Sequence, residues 1–82
     1  MRDRRLPTVI FGEVLQELRL GQALTQDKLA EFADTERSHI SALERGEKGP
    51  SLATILSLAN ALSVPAALLM GMVEERLRAA SK

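Results

Sequence analysis

The sequence lacks cysteine, net charge and long apolar runs, and each absence excludes a class of protein. Without cysteine the chain forms no disulfide, thiolate metal site or cysteine nucleophile, which fits a reducing compartment. Eleven Lys and Arg balance eleven Asp and Glu, so contact with a polyanion must depend on a few placed cations. The least polar stretch, residues 64–73, contains Pro65 and Gly71, whereas a membrane span needs about 20 apolar residues. We therefore expect a soluble, cytoplasmic protein with no membrane partner.

Aromatic residues are also scarce, since Phe11 and Phe32 are the only two. The core must therefore be aliphatic, in a chain whose 82 residues suffice for one domain. A single core of this size rarely supplies more than about 3–5 kcal/mol of stability. Association with a second copy would bury further apolar surface, so the short length is compatible with a homodimer.

Apolar residues recur at three- and four-residue spacing along most of the chain, which predicts an all-α fold. Thr25 and Ser51 are suited to cap helix N-termini, and Gly21 and Gly46 supply stop signals. The five predicted helices have the approximate bounds Thr8–Leu20, Thr25–Ala33, Glu36–Arg45, Ser51–Leu62 and Pro65 or Ala66 to Arg78. The residues expected to face the core include Phe32 in the second helix and Leu52 and Leu56 in the fourth.

The second and third helices are short and are joined by the tight turn Asp34-Thr35, which predicts a helix-turn-helix. One bare helix fits the major groove of B-DNA, which is about 12 Å wide. At 100° per residue, Ile40 and Leu43 define the buried side of the third helix. The opposite side holds Ser38, Ser41, Ala42 and Arg45, with Arg37 and His39 on its flanks.

An ordered set of residues carries a family resemblance over about residues 11–69. Its members are Thr25-Gln26, Leu29-Ala30, Ile40-Ser41, Leu43-Glu44, Gly46, Pro50-Ser51-Leu52 and the segment Leu58–Leu62. Each piece is common, but the set at these spacings resembles the phage-repressor-type (Xre) helix-turn-helix family. The segment Glu36–Ser41 is most similar to the branch that contains restriction–modification controller proteins.

The resemblance implies a compact five-helix, lambda-repressor-like domain over residues 8–70. Residues 1–7 are expected to form a flexible arm, and residues 71–82 a helical extension that contacts a second copy. The implied function is that of a small dimeric transcriptional regulator, a repressor or autoregulatory controller. Its partner would be a double-stranded DNA operator with inverted repeats, read through the major groove by two helices.

The resemblance also implies which residues contact DNA. They are Gln26, Arg37, Ser38, His39, Ser41, Ala42, Arg45 and Lys48. Arg37 would reach a base edge, for which guanine is the natural bidentate partner, and Arg45 and Lys48 would bind phosphates. His39 fits a DNA contact and an ordinary surface position about equally. Arg19 and Glu44 match an ion pair that ties the first helix of the family to the reading helix.

Three positions depart from the family pattern. Asp34 and Ala23 replace glycines that are common in the two connections around the second helix. Asp tolerates the left-handed backbone region better than most residues, so the turn at Asp34 should survive. Leu15 stands where the family often carries a phosphate-binding cation, which predicts modest DNA affinity for each subunit.

Two other classes of function are alternatives to DNA binding. A protein-binding adaptor, such as the antitoxin partner of a toxin, would use the apolar excess after Val64. An enzyme is disfavoured because the sequence shows no paired-carboxylate pocket, metal-ligand cluster or nucleophile motif. We therefore expect no catalytic residues, no metal and no cofactor.

Overall fold

The computed structural model describes residues 5–80, which form five helices. They are α1 (Arg5–Gly21), α2 (Gln26–Phe32), α3 (Arg37–Glu44), α4 (Leu52–Ala61) and α5 (Ala66–Ala80). The all-α, five-helix prediction is confirmed. α1 packs against both α3 and α5, so it forms the spine to which the short helices are attached.

Helix α1 begins three residues before the predicted start, so residues 5–7 belong to the helix and not to the expected flexible arm. Pro7 lies in the first turn of the helix, where its missing N–H would have no helical partner. Leu6 packs against the core and so draws the first turn into the fold. The other residues of the predicted arm, 1–4, lie outside the described residues.

The core is aliphatic, as the composition requires, with Phe11 as its aromatic member. The fully buried large side chains are Val14, Leu15, Leu29, Ile40, Leu43, Leu58, Leu62 and Leu69. The prediction for Phe32 is wrong, because its side chain is 52% exposed and the Lys28 ammonium lies 5.9 Å from its ring centroid. Leu29, Ala30 and Ala33 supply the inward face of this segment instead.

The inward face of α4 also differs from the prediction. Leu52 and Leu56 are 72% and 53% exposed, and Leu58, which was not expected to face the core, is buried, whereas Ala59 and Leu62 are buried as predicted. Helix α4 is apolar on nearly every side, so two overlapping stripes both satisfy helical spacing. On the side that packs against the core, the Ser57 hydroxyl also donates a hydrogen bond of 3.0 Å to the Ala33 carbonyl at the end of α2.

Helices α1 to α4 end in the same way, with a left-handed residue followed by a hydrogen bond to the carbonyl five residues back. The left-handed residues are Ala23, Asp34, Gly46 and Ser63, with φ between 55° and 73°. The closing bonds measure 2.9–3.1 Å and run from Leu24 to Arg19, Thr35 to Ala30, Glu47 to Ala42 and Val64 to Ala59. Thr25 and Ser51 cap α2 and α4, as predicted. The left-handed residue after α1 is Ala23, two positions beyond the predicted stop at Gly21.

Helix α5 runs without interruption past Gly71, so the expected division between residues 70 and 71 is not a structural boundary. Leu69 and Val73 are buried in the common core, while Leu68 and Met70 are 49% and 38% exposed. Within residues 5–80 no single helix is long and apolar enough to cross a membrane. Helices α4 and α5 reach the necessary length and apolar character only when they are counted together, and the chain bends by 111° between them.

Because Gly12 has no side chain, the backbone of α1 lies directly against the backbone at the end of α3. A Cβ at this position would lie 2.8 Å from the Glu44 carbonyl oxygen and still closer to that of Leu43. Sequence spacing gave no sign of this contact, because it depends on how two distant helices cross. Gly12 thus fixes where the C-terminal end of α3 lies relative to α1.

We expect Gly12→Ala to destabilise the domain by up to about 2 kcal/mol, since an overpacking cost of about 1–3 kcal/mol is offset in part by a gain of roughly 1 kcal/mol in helix propensity. The measurement is urea unfolding followed by circular dichroism. Gly21→Ala is the matched control on the same helix, because a Cβ there meets no atom within 4 Å and only the propensity gain should remain. Equal stabilisation by both substitutions would contradict the close approach.

Candidate nucleic-acid interface

A buried ion pair joins α3 to α1. Arg19 donates from Nε to Glu44 Oε2 at 2.6 Å and from its terminal nitrogen to Oε1 at 3.0 Å. The two side chains are only 8% and 2% exposed. The expected Arg19–Glu44 pair is therefore present, and its two-point geometry fixes both the position and the rotation of the α3 C-terminus.

Two further groups complete the hydrogen bonding of this pair. The remaining terminal nitrogen of Arg19 donates to the Leu24 carbonyl at 2.7 Å, and Gln26 Nε2 donates to Glu44 Oε1 at 3.0 Å. Among the described residues that are not exposed, no buried side-chain nitrogen or oxygen lacks a partner. Burial of two charges is tolerable only when their polar atoms are satisfied in this way. Sequence reasoning missed both partners, since the connection between α1 and α2 brings them in.

Gln26 therefore has a structural role beside its predicted DNA contact. A carboxylate only accepts hydrogen bonds, so Glu44 fixes which end of the Gln26 amide turns inward. The second N–H and the amide oxygen remain available at the start of α2, on a half-buried side chain. The network thus holds Gln26 in a defined orientation beside α3.

Four of the predicted contact residues come together on the outer face of α3. Arg37, Ser38, Ser41 and Arg45 line one shallow surface depression. Ile40 and Leu43, on the opposite side of the helix, are fully buried. The only acid in α3 is Glu44, which turns inward to Arg19, so no carboxylate of this helix lies on the outer face.

Arg45 is held by its neighbours. Its Nε donates to Glu47 Oε2 at 2.7 Å, and a terminal nitrogen donates to Glu47 Oε1 at 3.0 Å. The other terminal nitrogen donates to the Ser41 hydroxyl. The hydrogen bonds from Arg45 lower the pKa of the Glu47 carboxyl and raise the pKa of the Arg45 guanidinium. Sequence reasoning missed this arrangement, because it considered only the helix face and not the capping turn.

Arg37 is held much more loosely. Its Nε lies 3.7 Å from Asp27 Oδ1, and the two side chains are 66% and 78% exposed. Exposed pairs of this kind contribute about 0–1 kcal/mol. The Arg37 guanidinium is therefore free to exchange Asp27 for another acceptor.

The remaining predicted contact residues lie outside the depression. His39 is half-buried, with Nδ1 3.0 Å from the Thr35 hydroxyl, and it lines a separate groove beside α4. Ala42 is half-buried on α3. Lys48 is exposed in the loop after α3 and has no hydrogen bond or ion pair with any of residues 6–80.

The expectation about Leu15 is wrong. Its side chain is fully buried in the core, so this position faces the other helices and not a ligand. A cation at position 15 would be desolvated and could not reach a phosphate. The replacement by leucine therefore does not remove a surface charge from the candidate interface.

Comparison with known proteins places this geometry in a family. A profile described as Helix-turn-helix matches residues 15–69. The uncharacterized HTH-type transcriptional regulator RghRB of Bacillus subtilis (strain 168) is 43% identical over 56 residues, which make up 67% of this chain and 40% of RghRB. The chain thus spans about two fifths of that relative's length.

The alignments with two controller proteins cover a larger share of those proteins. Control protein C.BamHI of Bacillus amyloliquefaciens is 37% identical over 57 residues, which are 68% of this chain and 70% of C.BamHI. The crystal structure of the restriction-modification controller protein C.AhdI from Aeromonas hydrophila is 40% identical and aligns with a TM-score of 0.74. That alignment covers 76% of this chain and 94% of C.AhdI.

We expect Arg19→Met and Glu44→Leu each to leave the domain largely unfolded, because an unpartnered buried charge costs about 3–5 kcal/mol, as much as a core of this size supplies. The double variant should regain a cooperative urea transition, since it removes both charges together. Circular dichroism and urea unfolding of the four proteins measure this coupling. A double variant that is no more folded than either single variant would show that the pair is not coupled across α1 and α3.

Proposed function

This chain belongs to the helix-turn-helix family, and we propose that it is a small dimeric transcriptional regulator that binds a specific DNA operator. The observation that carries the proposal is the bare outer face of α3. That face carries two arginines and two serines but no acid of its own helix. A helix of this kind fits the major groove of B-DNA, where base edges are distinguishable.

In this proposal the eight predicted residues divide into base and phosphate contacts. Arg37 reads a base edge, because its weak link to Asp27 leaves the guanidinium free to pair with guanine O6 and N7. Ser38 and Ser41 bind neighbouring bases or phosphates, and Ala42 leaves room for a thymine methyl group. The proposed phosphate contacts are made by Gln26, Arg45 and Lys48, with His39 at the edge of the interface.

Dimerisation is proposed from the apolar surface of α5. Leu68 and Met70 are 49% and 38% exposed, and Met70 borders a surface pocket that Leu77 also lines. One α3 helix contacts only a few base pairs, which selects poorly among the many sites of a genome. A two-fold dimer would present two copies of α3 about 34 Å apart and so require an inverted repeat.

The regulatory role follows from DNA binding in this proposal. A dimer that occupies the promoter of its own gene would act as a repressor or an autoregulatory controller in the cytoplasm. The proposal includes no catalytic step, metal or cofactor. Footprinting of the purified protein on the DNA that flanks its gene tests binding, two-fold symmetry and autoregulation together.

A second candidate function is binding to another protein, as an adaptor or antitoxin would. The observation that favours it is the exposure of Phe32, Leu52 and Leu56, at 52%, 72% and 53%. Single exposed apolar residues are normal on a protein surface, so this candidate is weaker. Capture of a stoichiometric partner together with a lack of salt-sensitive DNA binding would favour it.

We expect Arg37→Ala to weaken operator binding by about 5- to 150-fold with little change on random duplex, since a base contact is worth about 1–3 kcal/mol. Lys48→Ala should instead weaken both complexes alike and reduce the salt slope by about 1, because a phosphate contact carries no sequence information. Fluorescence anisotropy titrations on both duplexes measure these effects. Equal losses on both duplexes for Arg37→Ala would reject its role as a base reader.

We expect the double substitution Leu68→Glu and Met70→Glu to give a folded monomer whose operator affinity falls by about 100-fold or more. A monomer binds one half-site without the help of a second subunit on the other half-site. Analytical ultracentrifugation and operator titration measure the two effects. Leu20→Glu is the control, because Leu20 is 58% exposed and lies at the end of α1. A double variant that remains dimeric would place the interface elsewhere.

A further inference from the structure

The capping turn after α3 places an acid directly on the cation that is proposed to bind phosphate. Gly46 takes the left-handed conformation with φ 73°, and the Glu47 N–H closes the turn on the Ala42 carbonyl at 3.1 Å. This turn brings the Glu47 side chain back beside Arg45 instead of away from the helix. The pair is therefore built by the same cap that ends the reading helix.

The Glu47 carboxylate occupies Arg45 in the way that a phosphate would. Its two oxygens accept from Nε and one terminal nitrogen at 2.7 and 3.0 Å, which is the two-point contact that arginine makes with phosphate. The other terminal nitrogen is used by the Ser41 hydroxyl. All three nitrogens of Arg45 are thus engaged before DNA arrives.

The contact with Glu47 reduces the positive charge that Arg45 contributes to the candidate interface. Arg45 and Glu47 form a neutral pair at the edge of the depression, both more than half exposed. Lys48, the next residue, remains unpaired among residues 6–80. In DNA binding a phosphate must either displace Glu47 from Arg45 or approach a carboxylate of its own charge, and both events oppose association.

We propose that Glu47 is an internal competitor of the DNA backbone that holds Arg45 in a phosphate-like contact and thereby sets the affinity of the protein for DNA. The inference rests on the proposed DNA-binding function and adds to it a residue that weakens binding. Because phosphate contacts are independent of sequence, Glu47 lowers affinity for specific and random DNA by the same factor.

The substitution Glu47→Gln tests this competition while keeping the backbone turn and the size of the side chain. We expect the variant to bind a labelled duplex of random sequence about 3- to 30-fold more tightly in 50 mM salt, since it frees one cation for phosphate. Its affinity should also fall more steeply with salt, by about 0.9 in the logarithmic slope. Anisotropy titrations between about 50 and 200 mM potassium chloride measure both quantities.

Glu17→Gln is the matched control. Glu17 accepts a 2.6 Å hydrogen bond from Arg76, and it is 57% exposed, the same as Glu47. The substitution removes the same charge from the same kind of pair, but on the surface where α1 meets α5. It should leave the salt slope unchanged and the affinity within about 2-fold, as expected for a distant charge screened by salt.

A double-mutant cycle separates competition from simple repulsion. In the Arg45→Ala background, which leaves no cation at this site, Glu47→Gln should no longer raise the salt slope and should give less than half of its gain in affinity. Circular dichroism checks that all variants are folded. The inference is overturned if Glu47→Gln binds no more tightly than wild type, or if its gain persists in full without Arg45. If neither wild type nor Glu47→Gln binds random or promoter DNA at low salt, the proposed function itself fails.

Discussion

The buried contact between Arg19 and Glu44 is the interaction on which the geometry of the reading helix depends. It connects residues 25 positions apart and fixes α3 to α1 by two parallel hydrogen bonds. Gln26 joins the same carboxylate, so the start of α2 is fixed to the end of α3. A buried ion pair is weak evidence of stability, but its directionality specifies one arrangement of three helices where aliphatic packing would accept several.

The same arrangement explains how a chain without net charge presents a surface suited to a polyanion. Glu44 is the only acid of α3, and its carboxylate is consumed in the interior by Arg19. The cations that remain outside differ in availability, from Lys48, which has no partner among residues 6–80, through loosely held Arg37 to Arg45, which is paired with Glu47. The distribution of partners among these cations, rather than their number, determines the electrostatic character of the interface.

The features that the sequence predicts well are those set by local chemistry. Five helices, the caps at Thr25 and Ser51 and the left-handed Asp34 follow from spacing and side-chain type. The Arg19–Glu44 pair came only from the family resemblance. The side of α4 that faces the core could not be predicted fully from spacing, because that helix is apolar on most sides. The close approach at Gly12 and the Glu47 contact to Arg45 depend on tertiary crossing and on a capping turn, neither of which helical periodicity describes.

The shortness of the two central helices has a consequence for the temperature response of the protein. Helices α2 and α3 contain seven and eight residues, whereas isolated helices below about 12–15 residues are marginal in water. Helices α2 and α3 are therefore not stable by themselves and form only while the surrounding helices remain assembled. As the domain melts cooperatively on heating, the outer face of α3 is lost as a unit, and under the proposed function occupancy of DNA would fall over the same narrow temperature interval as the folded population.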